Sequence, residues 1–120
     1  MTSILVVEDN DLNRRLFVDL LQTRNYQVIE ACDGTSVLEK IKTHHPDLVL
    51  MDIQLPNISG LELTRQIRAL TDLPQPKIVA VSAFALKQDA QKALQAGCDD
   101  YISKPISIAS FFQTIDKNLS

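Results

Sequence analysis

Three carboxylates in this sequence share one placement, at the point where a short apolar run gives way to polar residues. Ile4 to Val7 precede Glu8 and Asp9, and Leu48 to Met51 precede Asp52. Runs of four apolar residues between polar flanks are too short for helices and are typical of strands buried on both faces. Because the carboxyl ends of parallel strands meet at one edge of a sheet, the three carboxylates are expected to converge.

Two more side chains are predicted at the same edge. Ser82 ends the apolar run that begins at Lys77, and Lys104 follows the short run from Tyr101 to Ser103. Three converging carboxylates repel each other, so the site needs a cation unless one of them is protonated. Hard oxygen ligands with open positions favour Mg²⁺, for which Mn²⁺ could substitute. Beside that ion, Asp52 could attack a phosphoryl group whose oxygens Lys104 and Ser82 contact, which predicts an aspartyl phosphate.

Taken singly, each of these residues has an ordinary structural explanation. An Asp after a strand is more often a turn or cap residue, and Glu8–Asp9 could be a solvated pair before a helix. Ser82 alone could be a loop hydroxyl, and Lys104 alone a surface charge. The functional interpretation depends on all of them following strands of one sheet.

Length and composition indicate one globular domain, residues 1–120, with 45% hydrophobic and 22% charged residues. The net charge of −3 and the scattered basic residues argue against nucleic-acid binding. No apolar stretch is long enough to span a membrane, and the first residues lack the basic region of a signal peptide. Cys32 and Cys98 form no metal-binding spacing, so we expect reduced thiols in a cytoplasmic protein.

The apolar pattern predicts five strands that alternate with five helices. The strands are Ile4–Val7, Tyr26–Ala31, Leu48–Met51, Lys77–Ser82 and Tyr101–Ser103. The first, third and fourth are the most apolar and should be central, whereas the more polar second strand suits an edge. These requirements predict an α/β fold: a doubly wound, five-stranded parallel sheet of order 2-1-3-4-5 with helices on both faces.

Two helices carry specific expectations. The first, capped by Asn10 or Asp11, is predicted to bury an apolar stripe and to expose a polar face; the stripe is Leu12, Leu16, Leu20, Phe17 and Leu21, and the polar face is Arg14, Arg15, Asp19 and Gln22. The fourth, from Lys87 to Ala96, ends at Gly97 and has a thin apolar face. We therefore expect it to be held less firmly than the others.

Five sequence pieces together resemble one protein family: Val7–Asn10, Leu50–Pro56, Ser59–Gly60, Ser82–Ala83 and Lys104–Pro105. Over its whole length the chain resembles the receiver domains of two-component response regulators, of the CheY type. Four segments resemble more closely the single-domain regulators of the bacterial cell cycle, namely Asp52–Pro56, Ile58–Glu62, Ser82–Ala85 and Tyr101–Ser107.

The resemblance implies that Asp52 accepts a phosphoryl group from the phosphohistidine of a histidine kinase or histidine phosphotransfer protein. Asp9, Asp52 and the backbone carbonyl of Gln54 would hold Mg²⁺, with Glu8 acting through a metal-bound water. Such a domain catalyses only its own phosphorylation and dephosphorylation. It would be a monomer or weak dimer.

The resemblance also implies a switch. Lys104 would pair with the phosphoryl group, Ser82 would move to bond it, and Tyr101 would follow. Ser82 stands where many relatives carry Thr, but the hydroxyl is retained. The Lys104–Pro105 peptide bond is expected to be cis. A downstream protein target would dock on the last two helices and the strand between them.

Gln54 and Phe84 lie two residues beyond Asp52 and Ser82, where they would flank the path of an attacking water. Phe84 is bulky and apolar, which predicts slow loss of the phosphoryl group.

Three alternatives come from other classes. A phosphatase of the haloacid dehalogenase type needs an Asp two residues after the nucleophile, where this chain has Gln54. A flavodoxin-like cofactor binder needs a phosphate-cradling loop after the first strand, where Glu8 and Asp9 carry the wrong charge. A receiver excised from a larger regulator or hybrid kinase stays open.

Overall fold

The protein is described by a computed structural model that covers residues 2–56, 58–83 and 87–119. Strands and helices alternate along the chain as β1 Ser3–Val7, α1 Asp11–Gln22, β2 Gln27–Ala31, α2 Val37–His44, β3 Leu48–Asp52, α3 Gly60–Arg68, β4 Lys77–Ser82, α4 Lys87–Ala96, β5 Asp100–Ser103 and α5 Ile108–Leu119. Within these ranges none of the helices combines the length and apolar character needed to cross a membrane.

The strands form one parallel sheet of order β2-β1-β3-β4-β5, which confirms the predicted topology. Every residue of β1 and β3 is buried, as expected for central strands. The second strand, at one edge, buries only Ala31 fully. In this order β1 and β3 flank the switch point: the chain leaves β1 toward β2 on one side and leaves β3 toward β4 on the other. Ligands bind at this point in open α/β sheets.

Helices cover both faces of the sheet because successive strand side chains point in opposite directions. One face of the sheet packs against α2, α3 and α4, and its buried residues include Leu5, Val7, Val49, Met51, Ile41, Leu63, Ile67 and Ala93. The other packs against α1 and α5, and its buried residues include Ile4, Val6, Leu48, Leu50, Phe17, Leu21, Phe111 and Ile115. The site residues follow the strands at one edge of this layered core.

The buried face of α1 differs from the predicted one. Its buried residues are Phe17, Val18 and Leu21, whereas Leu12 is 82% exposed and Leu16 is 42% exposed. Residues four apart drift around a helix by about 40° per step, so a line of leucines at that spacing leaves the core face. Arg14, which was predicted to lie on the exposed polar face, is partly buried, since its side chain is 17% exposed.

Capping residues fix the helix ends near the site. Asn10 caps α1, since its side-chain oxygen accepts a hydrogen bond from the Asn13 amide at 3.0 Å. Ser59 caps α3 in the same way through the Glu62 amide at 3.1 Å. Gly97 follows α4 with a φ of +113°, the left-handed conformation that a helix-ending glycine supplies.

Candidate functional site

The three predicted carboxylates do come together. Asp52 is the buried last residue of β3, and Glu8 and Asp9 directly follow β1. Because Val7 pairs with Met51 in the parallel ladder, the two strand ends lie side by side. One carboxylate oxygen from each of Glu8, Asp9 and Asp52 lies within 4.8 Å of the others.

Lys104, which directly follows the edge strand β5, supplies a positive charge to the site. Its amide donates to the Ser82 carbonyl at 2.7 Å, which extends the β4–β5 pairing by one bond. Its Nζ lies 2.9 Å from Glu8 Oε1 and 3.5 Å from Asp52 Oδ2. The ammonium therefore pairs more closely with Glu8 than with Asp52. The Lys104–Pro105 peptide bond is cis, as the resemblance implied.

Burial sets the electrostatics of Glu8. Desolvation, with a further contribution from neighbouring Asp52, raises the pKa of Glu8 from 4.5 to about 7, although Lys104 acts in the opposite direction. For Lys104, burial alone would lower the pKa, but Glu8 and Asp52 outweigh it and the pKa is raised. Glu8 Oε2 is buried and has no hydrogen-bond partner among the described residues. A buried, unsatisfied carboxylate oxygen beside two further carboxylates is an arrangement that suits a divalent cation.

The remaining predicted residues take positions around this cluster. The Gln54 amide donates to Asp52 Oδ1 at 2.9 Å, which ties the carboxylate to the loop after β3. Ser82 is fully buried at the end of β4, one residue beyond the residue that pairs with Asp52. Tyr101 lies half-buried in β5 and lines a cavity of about 210 Å³. Phe84 lies outside the described residues, so its role in hydrolysis stays a prediction.

A larger cavity of about 560 Å³ opens beside the cluster. It is lined by Asn13, Leu16, Phe17, Ala83, Lys104, Pro105 and Ile106. These residues come from α1, from the loop after β4 and from the loop after β5. The cavity thus adjoins the ammonium that contacts Glu8 and Asp52, on the side of the molecule where α1 exposes Leu12 and Leu16.

Sequence reasoning missed Arg14. Its guanidinium donates to the backbone carbonyl of Glu8 at 2.9 Å and so contacts the acidic turn directly. The signal was present in the sequence, because Arg14 precedes Phe17, Val18 and Leu21 by three, four and seven residues. Residues at those spacings lie near each other on a helix, so Arg14 lies beside the buried residues of α1 and is itself partly buried.

Residues 4–116 match the family described as response regulator receiver domain. The chain belongs to this family and is a receiver domain of a two-component system. Among curated relatives, the polar-differentiation response regulator DivK of Brucella ovis is 46% identical over 98% of this chain and 95% of its own length. The closer resemblance noted in the sequence is thus to DivK. Family membership decides against the phosphatase and flavodoxin-like alternatives.

Two solved structures show related receivers in functional states. The receiver domain of sensor histidine kinase PA1611 from Pseudomonas aeruginosa has a magnesium ion in its active-site cleft; it is 33% identical, with a TM-score of 0.88 over 98% of this chain and 97% of that one. The receiver domain of Ssk1 from Saccharomyces cerevisiae was solved with the histidine phosphotransfer protein Ypd1. It is 29% identical, with a TM-score of 0.87 over 97% of this chain and 87% of that one.

Proposed function

We propose that Asp52 is the phosphoacceptor of this receiver domain and that it works with Mg²⁺ held at the acidic turn. The observation that carries the proposal is the convergence of Glu8, Asp9 and Asp52 within 4.8 Å, next to the ammonium of Lys104. A carboxylate in such a position is a nucleophile whose attack on phosphorus the neighbouring positive charges favour.

The donor set fits the ion. Asp9, Asp52 and the backbone carbonyl of Gln54 would hold Mg²⁺, and Glu8 would act through a metal-bound water; Mn²⁺ could substitute. The buried, unpartnered Oε2 of Glu8 is consistent with a cation in this place. The magnesium ion in the active-site cleft of the PA1611 receiver supports a magnesium site in this related chain. When bound, the metal would offset negative charge on the phosphoryl oxygens.

The proposed transfer step uses Asp52 as the nucleophile, with Lys104 and Ser82 beside it. A carboxylate oxygen of Asp52 forms a bond to phosphorus, and the phosphorus–nitrogen bond of the donor phosphohistidine breaks. The bonding electron pair stays on the imidazole, which then takes a proton. Lys104 stabilises the phosphoryl oxygens by charge, and the Ser82 hydroxyl donates a hydrogen bond to one of them. Ser82, Lys104 and then Tyr101 shift with the phosphoryl group, and Gln54 and Phe84 tune its hydrolysis.

The donor is a histidine kinase or a histidine phosphotransfer protein. We infer that it docks where α1 meets the 560 Å³ cavity, since that opening adjoins Lys104 and is bordered by the exposed Leu16. The Ypd1–Ssk1 complex shows that a related receiver binds such a donor. A docking partner of this kind would bury apolar surface that is otherwise exposed to water.

The downstream target is proposed to dock on α4, β5 and α5, as the resemblance implies. The free thiols of Cys32 and Cys98 are consistent with a reducing, cytoplasmic location. A DivK-like role in bacterial cell-cycle regulation is supported by the 46% identity to the Brucella protein. On this account the domain acts through protein partners, as a monomer or weak dimer.

Intact mass tests the phosphoacceptor assignment. After incubation with acetyl phosphate and Mg²⁺, one phosphoryl group is expected on the wild type and none on Asp52→Asn. Asp72→Asn, which removes an exposed carboxylate after α3, is the matched control and should be phosphorylated like the wild type. A phosphoryl adduct on Asp52→Asn, or none on the wild type, would overturn the proposal.

A further inference from the structure

The side chain of Arg14 joins three parts of the structure. Nη1 donates to the Glu8 carbonyl at 2.9 Å, Nη2 lies 2.5 Å from Asp11 Oδ1, and Nε donates to Glu30 Oε1 at 3.3 Å. Glu8 follows β1, Asp11 begins α1, and Glu30 belongs to β2. One planar guanidinium thus spans the end of β1, the first turn of α1 and the edge strand.

The bond to the carbonyl reaches the acidic turn itself. The Glu8 carbonyl is part of the peptide unit that joins Glu8 to Asp9, so its direction sets how the two acidic residues are oriented relative to each other. On the other side of Glu8, the amide donates to the Ala31 carbonyl at 3.0 Å. Both backbone polar groups of Glu8 are therefore held by hydrogen bonds, the amide by the Ala31 carbonyl and the carbonyl by Arg14.

The ion pairs of Arg14 do not explain its position. Asp11 is 87% exposed and Glu30 is 55% exposed, and ion pairs to such groups contribute little to stability. The side chain of Arg14 is nevertheless only 17% exposed. The fork geometry of the guanidinium allows three separate partners at once, which a lysine ammonium on a flexible stem cannot reproduce.

We propose that Arg14 is a positioning residue for the metal site: it holds the Glu8–Asp9 peptide so that both carboxylates face Asp52. The proposal rests on the proposed function, because it concerns the same Mg²⁺ site. Arg14 acts through the backbone and is not itself a ligand. Residues that orient metal ligands typically change metal affinity about 10- to 100-fold when they are replaced.

The test is the Mg²⁺ dissociation constant, measured from the shifts of backbone amide NMR signals at Asp52 and Ile53. Arg14→Gln is expected to bind Mg²⁺ about tenfold more weakly than the wild type, or worse, and Arg14→Lys, which keeps a donor for the carbonyl but not the fork, should show a smaller loss. Arg15→Gln is the matched control, since Arg15 is 79% exposed and pairs with Asp19 one turn later at 3.4 Å. It should bind Mg²⁺ like the wild type.

Two further variants separate the carbonyl bond from the ion pairs. Asp11→Asn and Glu30→Gln each weaken one arm of Arg14 but leave its bond to the Glu8 carbonyl in place. Both should bind Mg²⁺ with an affinity within about threefold of the wild type, because ion pairs to exposed carboxylates are weak. A loss in these variants as large as in Arg14→Gln would contradict a role that depends on the carbonyl.

Phosphorylation by acetyl phosphate gives a second, independent readout. In the Arg14 variants the Mg²⁺ concentration for half-maximal rate should rise by the same factor as the dissociation constant, while the rate at saturating Mg²⁺ stays close to that of the wild type. A purely structural role would lower the unfolding temperature without changing the Mg²⁺ affinity of the folded protein. Unchanged Mg²⁺ affinity in both Arg14 variants overturns this inference and leaves the proposed function standing, whereas absent Mg²⁺ binding by the wild type overturns both.

Discussion

Glu8 is the residue whose surroundings are least favourable without a cation. Its side chain is fully buried, one oxygen pairs with Lys104 at 2.9 Å, and the other has no hydrogen-bond partner among the described residues. Burying a carboxylate with an unsatisfied oxygen costs free energy unless a charge or hydrogen bond compensates. Such groups, with strongly raised pKa values and a nearby charge partner, cluster at functional sites.

The raised pKa of Glu8 makes stability depend on pH when Mg²⁺ is removed. Because its pKa is about 7 in the folded protein and near 4.5 when unfolded, the folded state binds the proton more tightly. The bound proton therefore contributes fully to the free energy of unfolding below about pH 4.5, and this contribution is lost as the pH rises through 7. In EDTA, chemical denaturation should show the free energy of unfolding falling by roughly 2.5 kcal/mol between pH 5 and pH 8 from this group.

Glu8→Gln provides the control for that dependence, because the amide resembles the protonated acid and does not titrate. In EDTA the variant should keep its stability over the range in which the wild type loses it. Added Mg²⁺ should reduce the fall in the wild type, since a bound cation stabilises the ionised cluster. A wild type whose stability does not fall between pH 5 and pH 8 in EDTA would contradict the assignment.

At this scale the sequence predicts which residues meet but not how they pair. The convergence of Glu8, Asp9 and Asp52 follows from their positions after strands, and the structure confirms it. The preference of Lys104 for Glu8 over Asp52 does not follow, because it depends on side-chain rotamers and on the balance between desolvation and charge.

At the scale of elements, α3 approaches the site through a glycine. A Cβ at Gly60 would lie 2.3 Å from the Asp52 carbonyl oxygen and 2.7 Å from Ile53 Cα. Because both atoms belong to the backbone, Gly60→Ala must displace either α3 or the end of β3. We expect a loss of about 1–3 kcal/mol in urea unfolding, together with slower phosphorylation by acetyl phosphate.

Ser59→Ala is the matched comparison, since it changes the neighbouring residue at the same helix end. Loss of the cap to the Glu62 amide should cost about 1 kcal/mol but leave the backbone of Asp52 in place. Its phosphorylation rate should stay near that of the wild type. A Gly60→Ala protein with unchanged stability and rate would show that α3 does not constrain the phosphoacceptor.

The exposed leucines of α1 predict a second effect. Leu12→Asp and Leu16→Asp should slow phosphoryl transfer at least tenfold from whichever histidine kinases or phosphotransfer proteins of the source organism phosphorylate the wild type in vitro. Truncating an apolar residue at the centre of an interface can cost about 2 kcal/mol of binding free energy, and an unpaired buried charge adds to that loss. The rate with acetyl phosphate, a small donor that needs no docking surface, should not change.

Leu94→Asp is the control for that experiment, because Leu94 is similarly exposed but lies on α4. It should leave transfer from protein donors unaffected. Equal slowing by Leu94→Asp and Leu12→Asp, or none by either α1 variant, would place the donor elsewhere.

The face of α1 also shows where a sequence pattern can mislead. Three leucines four residues apart predicted a buried stripe, yet two of them are exposed. The buried face of α1 consists of Phe17, Val18 and Leu21, and the partly buried Arg14 precedes them by three, four and seven residues. The charge of Arg14 predicts an exposed position, although the stem of an arginine can be partly buried while its guanidinium reaches polar groups.

For the whole molecule, the sequence predicted the topology because the alternation of strands with helices and the apolar content of each strand indicated the same fold. Apart from Ser3 at the start of β1 and Asp52 at the end of β3, these two strands are apolar and proved central, and the more polar β2 proved to be an edge. That order brings Glu8, Asp52 and Lys104 together across 96 residues of sequence. The agreement between apolar pattern and strand order is typical of sequences that specify a single fold.

The layered core also predicts an uneven distribution of stability. On α4 the buried described residues are only Ala93 and Ala96, whereas α5 buries Phe111 and Ile115. Small side chains bury less apolar area, so α4 should open at a lower free energy. Native-state hydrogen exchange should show lower protection for the amides of α4 from Ala90 to Ala96 than for those of α5. Equal protection in the two helices would contradict this prediction.

The central claim is that Asp52 carries the phosphoryl group, and chemical localisation tests it most directly. Borohydride reduces an aspartyl phosphate to homoserine, which peptide mass spectrometry assigns to a single position. After treatment with acetyl phosphate and Mg²⁺, the account predicts homoserine at position 52 and none when EDTA replaces Mg²⁺. Homoserine at position 9, 2-amino-5-hydroxypentanoate at position 8, or reduction that does not depend on Mg²⁺ would contradict it.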